Sequence, residues 1–494
     1  MKYHNIEPNP AALLSSLRDI GYNVETAIED LIDNSITAQA SSIDIRMIWN
    51  SGEPWLGILD DGKGMSSDEL VKAMTLAGNN PLEQRDKDDL GRFGLGLKTA
   101  SFSQCKELTV ITFHDEILSA AVLDLEVIEK NSDKGFRVGI LDKNDLDSLS
   151  ILNENFPEFI LSKKGTLVLW GNMDRIDNFD NLKTRKKKFK SMSSNAKDRI
   201  QITFHRFMKK EGRFNKINIF FNKVELEYID PFNSDNLMTN ELPEKTLLLK
   251  NEKITAQAYI LPHHSVGAET YNKYALKGGY YNNQGLYIYR NRRLITRGNW
   301  LRLTHASELT KLVRVRIDIP NNLDDVLRVN VMKSSLVLPE SLKIQLNDVL
   351  EQITSAGVEV YRNRAKRTLN NIKDPIWERV EKHGKISYTI NQDNHLILSF
   401  FESLSDKKKK ELSLVFKAVE NCFPINPFFN DLAKDPNDLQ QTTISDDELS
   451  TSLEFFRDDL DSEKVSLELL LKIDPFASNK EQSKQLFEKL GYKL

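Results

Sequence analysis

The stretch that decides the fold is residues 26–38, which read Thr-Ala-Ile-Glu-Asp-Leu-Ile-Asp-Asn-Ser-Ile-Thr-Ala. Apolar or small residues recur at positions 28, 31, 32 and 35, and this spacing predicts one buried face of an amphipathic helix. Asp30 and Asn34 are four residues apart, so they lie one above the other on a different face. An acid and an amide stacked in this way can serve a water molecule and Mg²⁺. A solvated acidic face is the alternative interpretation.

A second motif, Leu-Asp-Asp-Gly-Lys-Gly-Met, occupies residues 59–65. It follows two predicted strands, Ser42–Trp49 and Trp55–Leu59. Its two glycines allow the backbone to approach a flat ligand closely, which leaves the Asp60 carboxylate as an acceptor for an exocyclic amine. A plain tight turn is the alternative. Ser66 and Glu69 then form the capping box of a further helix.

The third motif is glycine-rich and reads Gly-Arg-Phe-Gly-Leu-Gly-Leu-Lys-Thr-Ala over residues 91–100. Its glycines leave backbone amides free to hold phosphates, and a helix begins directly after them. The spacing excludes two common phosphate-binding motifs. A P-loop requires Gly immediately before Lys-Thr, whereas Leu97 stands there, and a Rossmann fingerprint requires G-x-G-x-x-G.

The order of these three motifs resembles the GHKL superfamily of ATPases (DNA gyrase B, heat-shock chaperones, histidine kinases and MutL), with bacterial MORC- and MutL-like ATPases as the nearest members. The strand predicted at residues 164–170 would supply the Gly-Thr of that family. The resemblance implies an α+β protein with an N-terminal Bergerat-type ATP-binding α/β sandwich over residues 1–180. It also implies ATP and Mg²⁺ as cofactors.

The resemblance further implies roles for particular residues. Asp30 would act as the general base, and Asn34 would bind Mg²⁺. Asp60 would accept the adenine amine with support from Thr166. The remaining nucleotide contacts would come from the turn, the glycine-rich lid and its surroundings: Gly62, Gly64, Met65, Asn79, Gly91, Arg92, Phe93, Gly94, Leu95, Gly96 and Lys98.

One departure from the family concerns the general base. Members that hydrolyse ATP usually have Glu four residues before the Asn, whereas this chain has Asp30 there and Glu29 beside it. Aspartate is one methylene shorter, and a displacement of about 1 Å can lower a rate on the order of 100-fold. We therefore expect slow hydrolysis, unless the helix lies closer to the nucleotide. Glu29 points about 100° away and is the weaker candidate.

Residues 181–340 read as a second α+β unit that resembles the S5-like transducer domain of gyrase B, MutL and MORC proteins. Residues 287–295, Tyr-Ile-Tyr-Arg-Asn-Arg-Arg-Leu-Ile, are similar to its strand-turn-strand. Residues 327–335 are similar to the segment that delivers a lysine to the γ-phosphate, which would make Lys333 that lysine. An exposed lysine at a strand end is the alternative.

The rest of the chain is less informative. A helix is predicted from Pro339, and residues 341–494 are expected to be mostly helical, with dimer or partner contacts. A basic run at Lys183–Lys190 is interpreted as a solvated helix face or linker, or as a phosphate-backbone contact. The two cysteines, Cys105 and Cys422, are expected to be buried packing residues.

Composition gives the general setting. The 494 residues carry a formal net charge of −4, so no global positive field indicates nucleic acid. No apolar run is long enough to span a bilayer, and no signal peptide is recognised. Two cysteines are too few for a disulfide framework, so we expect a cytoplasmic protein.

These observations lead to one functional hypothesis with two rivals. We expect a MORC/MutL-type ATPase that forms an ATP-gated homodimeric clamp on DNA, with possible operon partner proteins in a bacterial anti-phage or restriction-type system. A heat-shock-type chaperone would share the nucleotide pocket. A nucleotide-binding switch with little turnover is the third interpretation.

Overall fold

The computed structural model describes most of the chain. The described residues are 9–19, 21–75, 96–176, 181–212, 214–262, 273–307, 310–328, 333, 336–351, 353, 374–382, 385–425, 427–428, 444–457, 460 and 466–492. They form an α+β protein, as predicted. The chain divides into two compact units, Met1–Thr354 and Ser355–Leu494.

The first unit contains an eight-stranded sheet whose strand order is β5-β4-β3-β6-β2-β1-β7-β8. All neighbours are antiparallel except β1 and β7. The strands are β1 Ser42–Ile48, β2 Trp55–Asp60, β3 Glu107–His114, β4 Ile117–Asp124, β5 Gly139–Ile140, β6 Gly165–Gly171, β7 Asn218–Phe221 and β8 Val224–Glu225.

Ten α-helices, α1–α10, accompany this sheet in the described part of the chain. They are α1 Pro10–Arg18, α2 Val24–Thr37, α3 Ser67–Met74, α4 Gly96–Phe102, α5 Leu125–Lys130, α6 Lys143–Asp147, α7 Ser150–Asn155, α8 Pro157–Ser162, α9 Leu182–Thr203 and α10 His205–Met208. The predicted capping box is confirmed, since Ser66 Oγ accepts from the Glu69 amide at 3.3 Å and Glu69 Oε2 accepts from the Ser66 amide at 2.8 Å.

Alternating side chains of the strands explain how both faces of the sheet are covered. On β6, Val168 and Trp170 enter the core that packs against α1, α2, α4 and α9. Leu167 and Leu169 point the other way, into a smaller core with residues of α6–α8 such as Phe159. Because successive side chains of a strand point to opposite faces, one apolar strand can serve two layers.

The first sheet reaches beyond the predicted domain boundary at residue 180. Strand β7 pairs in parallel with β1, from Ser42 opposite Asn218 to Ile45 opposite Phe221. The Asn222 side chain extends this contact by accepting from the Met47 amide at 2.9 Å. Backbone groups at a sheet edge need partners, and a later segment of the chain supplies them here.

A six-stranded sheet forms the second part of unit 1, with strand order β10-β11-β14-β12-β13 and β9 paired to β11. Its strands are β9 Asn240–Glu241, β10 Lys245–Leu249, β11 Glu252–Ile260, β12 Gly285–Arg290, β13 Arg293–Asn299 and β14 Val313–Ile319. Short helices at Gly279–Asn282 and Asp324–Leu327 accompany it. Residues 340–351 form the helix predicted from Pro339, with Leu342 and Leu346 fully buried.

Helix α9 belongs to both parts of unit 1. Phe189, Ala196 and Ile200 enter the core of the first sheet. Ile202 enters the core of the second, among Tyr287 and other aromatic side chains. A single 22-residue helix therefore ties the two sheets together.

The described residues of unit 2 form helices and a hairpin, and the sequence did not predict the hairpin. Strands β15 Trp377–Lys382 and β16 Lys385–Ile390 pair antiparallel. The helices are His395–Glu402, Asp406–Asn421, Asp446–Glu454, Leu467–Leu470 and Lys480–Lys489. The expectation for the cysteines is wrong for Cys422, which is exposed, whereas Cys105 is buried.

The described residues lack two features, a membrane-spanning helix and a cluster of metal-binding side chains. Among the helices that the structure describes, none combines the length and apolar character needed to cross a bilayer. The same residues contain no group of three or more His, Cys, Asp or Glu side chains arranged to hold a metal ion.

The buried His205 makes unfolding sensitive to acid. Its Nδ1 lies 2.7 Å from the Ile202 carbonyl oxygen, and burial lowers the pKa of the imidazole from 6.5 to about 4. The folded state therefore binds this proton less readily than the unfolded chain. We predict that the free energy of unfolding falls as pH drops from 6.5 to 4, by on the order of 3 kcal/mol from this group.

Urea unfolding of wild type and His205→Gln across that pH range measures this contribution. The variant should lose less stability with acid than wild type. His305→Gln is the control, because His305 is exposed and its replacement should leave the wild-type pH dependence intact. Parallel pH curves for wild type and His205→Gln would contradict the assignment.

Candidate active site

Helix α2 carries three buried carboxylates. It begins in a capping box in which Asn23 Oδ1 accepts from the Thr26 amide at 2.8 Å, and it ends at Thr37. Glu29, Asp30 and Asp33 are 1%, 2% and 0% exposed. A solvated acidic face is therefore excluded for these three residues. Asn34, four residues after Asp30, is exposed instead.

Three cations from distant parts of the chain face these carboxylates. Lys333 Nζ lies 2.6 Å from Asp33 Oδ2 and 3.1 Å from Asp30 Oδ1. Arg293 Nε lies 2.8 Å from Asp33 Oδ1. We call Glu29, Asp30, Asp33, Arg199, Arg293 and Lys333 the ionic cluster. Its three negative and three positive charges balance, as burial of charge requires.

Glu29 is fully engaged within this cluster. Its Oε1 accepts from Arg199 Nε and from Thr203 Oγ1, both at 2.7 Å. Its Oε2 accepts from Arg199 Nη2 at 3.2 Å and Arg293 Nη2 at 3.3 Å. A carboxylate with both oxygens doubly occupied is poorly suited to accept a proton from water.

Asp30 has a different environment. Tyr22 donates its hydroxyl to Asp30 Oδ2 at 2.7 Å, while Lys333 donates to Oδ1. Burial and the adjacent carboxylate both raise the pKa of the Tyr22 phenol, so it remains a protonated donor. Gly96, the first residue of α4, lies beside this carboxylate: a Cβ built there would be 3.8 Å from Asp30 Oδ2.

Burial affects Asp33 and Arg293 in opposite ways. Desolvation raises the pKa of Asp33, and the facing Arg293 and Lys333 cations oppose that rise. Desolvation tends to lower the pKa of Arg293, but the nearby carboxylates of Asp33, Glu29 and Asp30 outweigh it and raise that pKa. The cluster therefore holds its charges only because its members face one another.

Asp60 is the last residue of β2. It contacts α2 at Ser35, which follows the acidic residues of the ionic cluster along that helix. Its Oδ1 accepts from the Gly62 amide at 2.9 Å, and its Oδ2 accepts from Ser35 Oγ at 2.8 Å. Burial raises the pKa of Asp60, whereas these hydrogen bonds lower it. The Thr166 backbone supplies a third hydrogen bond to this carboxylate, which still leaves about one of its four lone-pair sites to accept from an amine.

Threonines connect Asp60 to the D-x-G-x-G turn. Thr166 stands opposite Asp60 in the β2–β6 ladder. Its Oγ1 lies 3.0 Å from Thr112 Oγ1, which also accepts from the Met65 amide at 3.0 Å. Asp60, Thr166 and Met65 are thus brought together, as the resemblance implied.

The two glycines of the turn are required by the protein's own packing. Gly64 has φ +70°, and a Cβ there would lie 1.7 Å from the Phe113 carbonyl oxygen. A Cβ on Gly62 would lie 2.8 Å from Ala38 Cβ. The approach of a flat ligand to these two glycines stays a prediction.

Lys98 occupies a structural position. It is 3% exposed, and its Nζ donates to the carbonyl oxygens of Ala73 at 2.7 Å and Thr75 at 2.8 Å, at the end of α3. Burial lowers the pKa of Lys98 to about 8. Two of its three N–H groups therefore serve the backbone. The other predicted contacts, Asn79, Gly91, Arg92, Phe93, Gly94 and Leu95, lie outside the described residues.

Asn34 is the candidate magnesium ligand. Its side chain is exposed and forms no hydrogen bond with any described residue, so the amide oxygen is available to a cation. Mg²⁺ commonly takes only one or two protein oxygens beside phosphates and water, which makes a single amide sufficient.

Sequence reasoning missed seven residues of this site: Tyr22, Asp33, Ser35, Thr112, Arg199, Thr203 and Arg293. Ser35 was assigned to the buried face of α2, yet it holds Asp60. Asp33 directly precedes Asn34, and Arg293 lies within the transducer motif, so position was the available signal for both. Nothing local marks Tyr22 or Thr112, because their contacts lie 8 and 54 residues away.

Two comparisons with known proteins identify the domain that carries this site. Residues 22–152 match the family described as histidine kinase-, DNA gyrase B-, and HSP90-like ATPase. The chain is also similar to "ATPase morc-1" of Caenorhabditis elegans, with 32% identity over 98 residues. That match covers 20% of this chain and 11% of the nematode protein. The stretch that the family model matches contains α2, the D-x-G-x-G turn and α4, so the part of the chain that carries this site is similar to the ATPase domain of GHKL and MORC-like proteins.

Proposed function

We propose that this chain is a Mg²⁺-dependent ATPase that works as a conformational switch, with Asp30 as general base and Lys333 as the contact to the γ-phosphate. The observation that carries this proposal is the convergence of Lys333 and Asp30 at 3.1 Å, from positions 303 residues apart. Asp30 on α2 and Lys333, which follows the second sheet in the chain, meet at one point. A terminal phosphate bound there would contact both side chains.

The ionic cluster indicates how the side chains would act. Asp30 carries Lys333 on one oxygen and the Tyr22 hydroxyl on the other. The ammonium can exchange the Asp30 carboxylate for a phosphate oxygen while Asp33 continues to hold it. That exchange would leave Asp30 Oδ1 free to accept a proton from the attacking water. Mg²⁺ held by Asn34 would neutralise charge on the phosphates.

A nucleotide site can drive a conformational switch only if ATP and ADP make different contacts with the two conformations. ADP lacks the group that Lys333 would bind, so ATP would favour the arrangement in which the second sheet is drawn onto α2. The short side chain of Asp30 supports slow turnover. It also supports the second candidate, a nucleotide-binding switch with little hydrolysis.

The proposed client is DNA, bound along helix α9. Lys183, Lys187, Lys190 and Lys197 lie on one side of α9, about 80° to 160° around the helix from the buried Phe189, and all four are exposed. None of them pairs with a carboxylate in the described part of the chain, and α9 has no acidic residue before Asp198. We call these four lysines the basic stripe. They extend over roughly 21 Å, at 1.5 Å per residue.

Helix α9 would also connect this client to the nucleotide. Arg199 and Thr203, beyond the basic stripe, both bind Glu29, the neighbour of Asp30. The finer features of the proposal, an ATP-dependent homodimeric clamp with operon partners in an anti-phage or restriction-type system in the cytoplasm, rest on the resemblance to MORC and MutL proteins.

The role of Asp30 is tested by the isosteric Asp30→Asn. We expect ATP turnover to fall by about 10²- to 10⁴-fold with ATP affinity nearly unchanged, because a general base is lost and binding contacts are kept. Steady-state hydrolysis and equilibrium binding measure the two effects. Asp60→Asn is the comparison, since it should instead weaken adenine-nucleotide binding. Wild-type turnover in Asp30→Asn would exclude this residue as the base.

The basic stripe is tested by Lys183→Glu/Lys187→Glu/Lys190→Glu. The matched control, Lys407→Glu/Lys408→Glu/Lys410→Glu, makes the same charge change on an exposed run in unit 2. Three lost phosphate contacts should reduce the slope of log affinity against log salt by about 3 in the first variant only. Duplex-DNA binding between about 50 and 200 mM salt measures this slope.

Two outcomes would contradict the DNA proposal. Equal losses in the two triple variants would indicate a general charge effect with no role for α9. An absence of DNA binding by wild type, together with ATPase activity that DNA does not alter, would favour the chaperone interpretation.

A further inference from the structure

Arg293 joins the two sheets at the ionic cluster. It is the first residue of β13 and is fully buried, at 0% exposed. Its three nitrogens reach three different partners: Nε donates to Asp33 Oδ1 at 2.8 Å, Nη2 to Glu29 Oε2 at 3.3 Å, and Nη1 to the carbonyl oxygen of Lys333 at 3.2 Å. One guanidinium therefore fixes both the acidic face of α2 and the backbone of the lysine.

The backbone at Lys333 needs such support. Its φ is +47°, in the left-handed region that residues with a Cβ rarely adopt. A conformation of this kind persists only where neighbouring contacts hold it. The bond from Arg293 to the Lys333 carbonyl is one such contact, and the bond from Lys333 Nζ to Asp33 is another. Asp33 in turn is held by Arg293 Nε.

The geometry points to Arg293 as a positioning residue: together with Asp33 it sets the reach of Lys333 toward the terminal phosphate of the nucleotide. This inference rests on the proposed function, because it takes Lys333 as the γ-phosphate contact. Arg293 itself would not touch the phosphate. Its planar fork directs N–H groups from three separate nitrogens at three acceptors, a geometry that the single nitrogen of a lysine does not reproduce.

A purely structural role would have a different signature. Loss of a buried cation leaves Asp33 and Glu29 without a partner, so reduced stability is expected in either case. A positioning role predicts in addition a specific loss of the preference for ATP over ADP, because only ATP carries the group that Lys333 would bind. It also predicts that the effects of Arg293 and Lys333 are not additive.

The experiment measures the dissociation constants of Mg·ATP and Mg·ADP for the full chain and its variants. Lys333→Met should lower the preference for ATP by at least about tenfold, since it removes a charge-assisted bond. Arg293→Lys should lower it nearly as far while ADP affinity stays within about twofold of wild type. The double variant should be no worse than Lys333→Met alone.

Arg290→Lys is the matched control. Arg290 lies opposite Arg293 on the neighbouring strand β12, is buried and binds Asp324 at 2.7 Å. Arg290→Lys should lower thermal stability about as much as Arg293→Lys does and leave the preference for ATP over ADP unchanged. If Arg293→Lys does not fold, Asp33→Asn serves as the second variant. It frees Lys333 from its 2.6 Å partner and should give the same non-additive loss with Lys333→Met.

The outcomes separate this inference from the proposed function. A normal ATP preference in Lys333→Met would overturn the γ-phosphate role of Lys333 and the inference with it. A reduced preference in Lys333→Met with a normal one in Arg293→Lys, or additive losses in the double variant, would overturn the role of Arg293 alone.

Discussion

The burial of three carboxylates on one helix is the constraint on which the rest of this structure depends. Unpaired, each would cost several kcal/mol in a low-dielectric interior. Three cations pair with these carboxylates: Arg199 of α9, Arg293 of β13 and Lys333, which follows the last strand of the second sheet. Ion pairs therefore connect α2 to the part of unit 1 that contains the second sheet, at the place proposed for the nucleotide. The apolar contacts of α9 connect the same two parts.

Side chains of the ionic cluster both stabilise the fold and would take part in the proposed ATP hydrolysis. Glu29 has a wholly structural environment, with four hydrogen bonds from two arginines and a threonine. Asp30, its neighbour in sequence, has only a phenol and the ammonium that can exchange partners. The two acids therefore differ in their hydrogen-bond partners among the described residues. This difference favours Asp30, one methylene shorter than the usual glutamate, as the residue that reacts.

Local patterns in the sequence predicted much of this fold. The apolar spacing of α2, the two strands before Asp60 and the capping box at Ser66 and Glu69 are all set by nearby residues. The resemblance implied that Thr166 supports Asp60 and that Asp30 and Lys333 both act at the γ-phosphate, and these roles stay predictions. The pairing of β7 with β1, the roles of Asp33 and Arg293, and the hairpin Trp377–Lys382 with Lys385–Ile390 were missed. The first three depend on contacts across about 170 to 260 residues, which no local periodicity encodes.

The most direct test of the account is a crystal structure of the wild-type chain with Mg²⁺ and a non-hydrolysable ATP analogue. The account predicts that Lys333 Nζ bonds a γ-phosphate oxygen and lies beyond about 4 Å, the limit of an ion pair, from Asp30 Oδ1. Arg293 should still donate to the Lys333 carbonyl, and Asp30 should face a water near the γ-phosphate. A nucleotide-bound chain in which Lys333 remains on Asp30 at 3.1 Å, away from the phosphates, would contradict it.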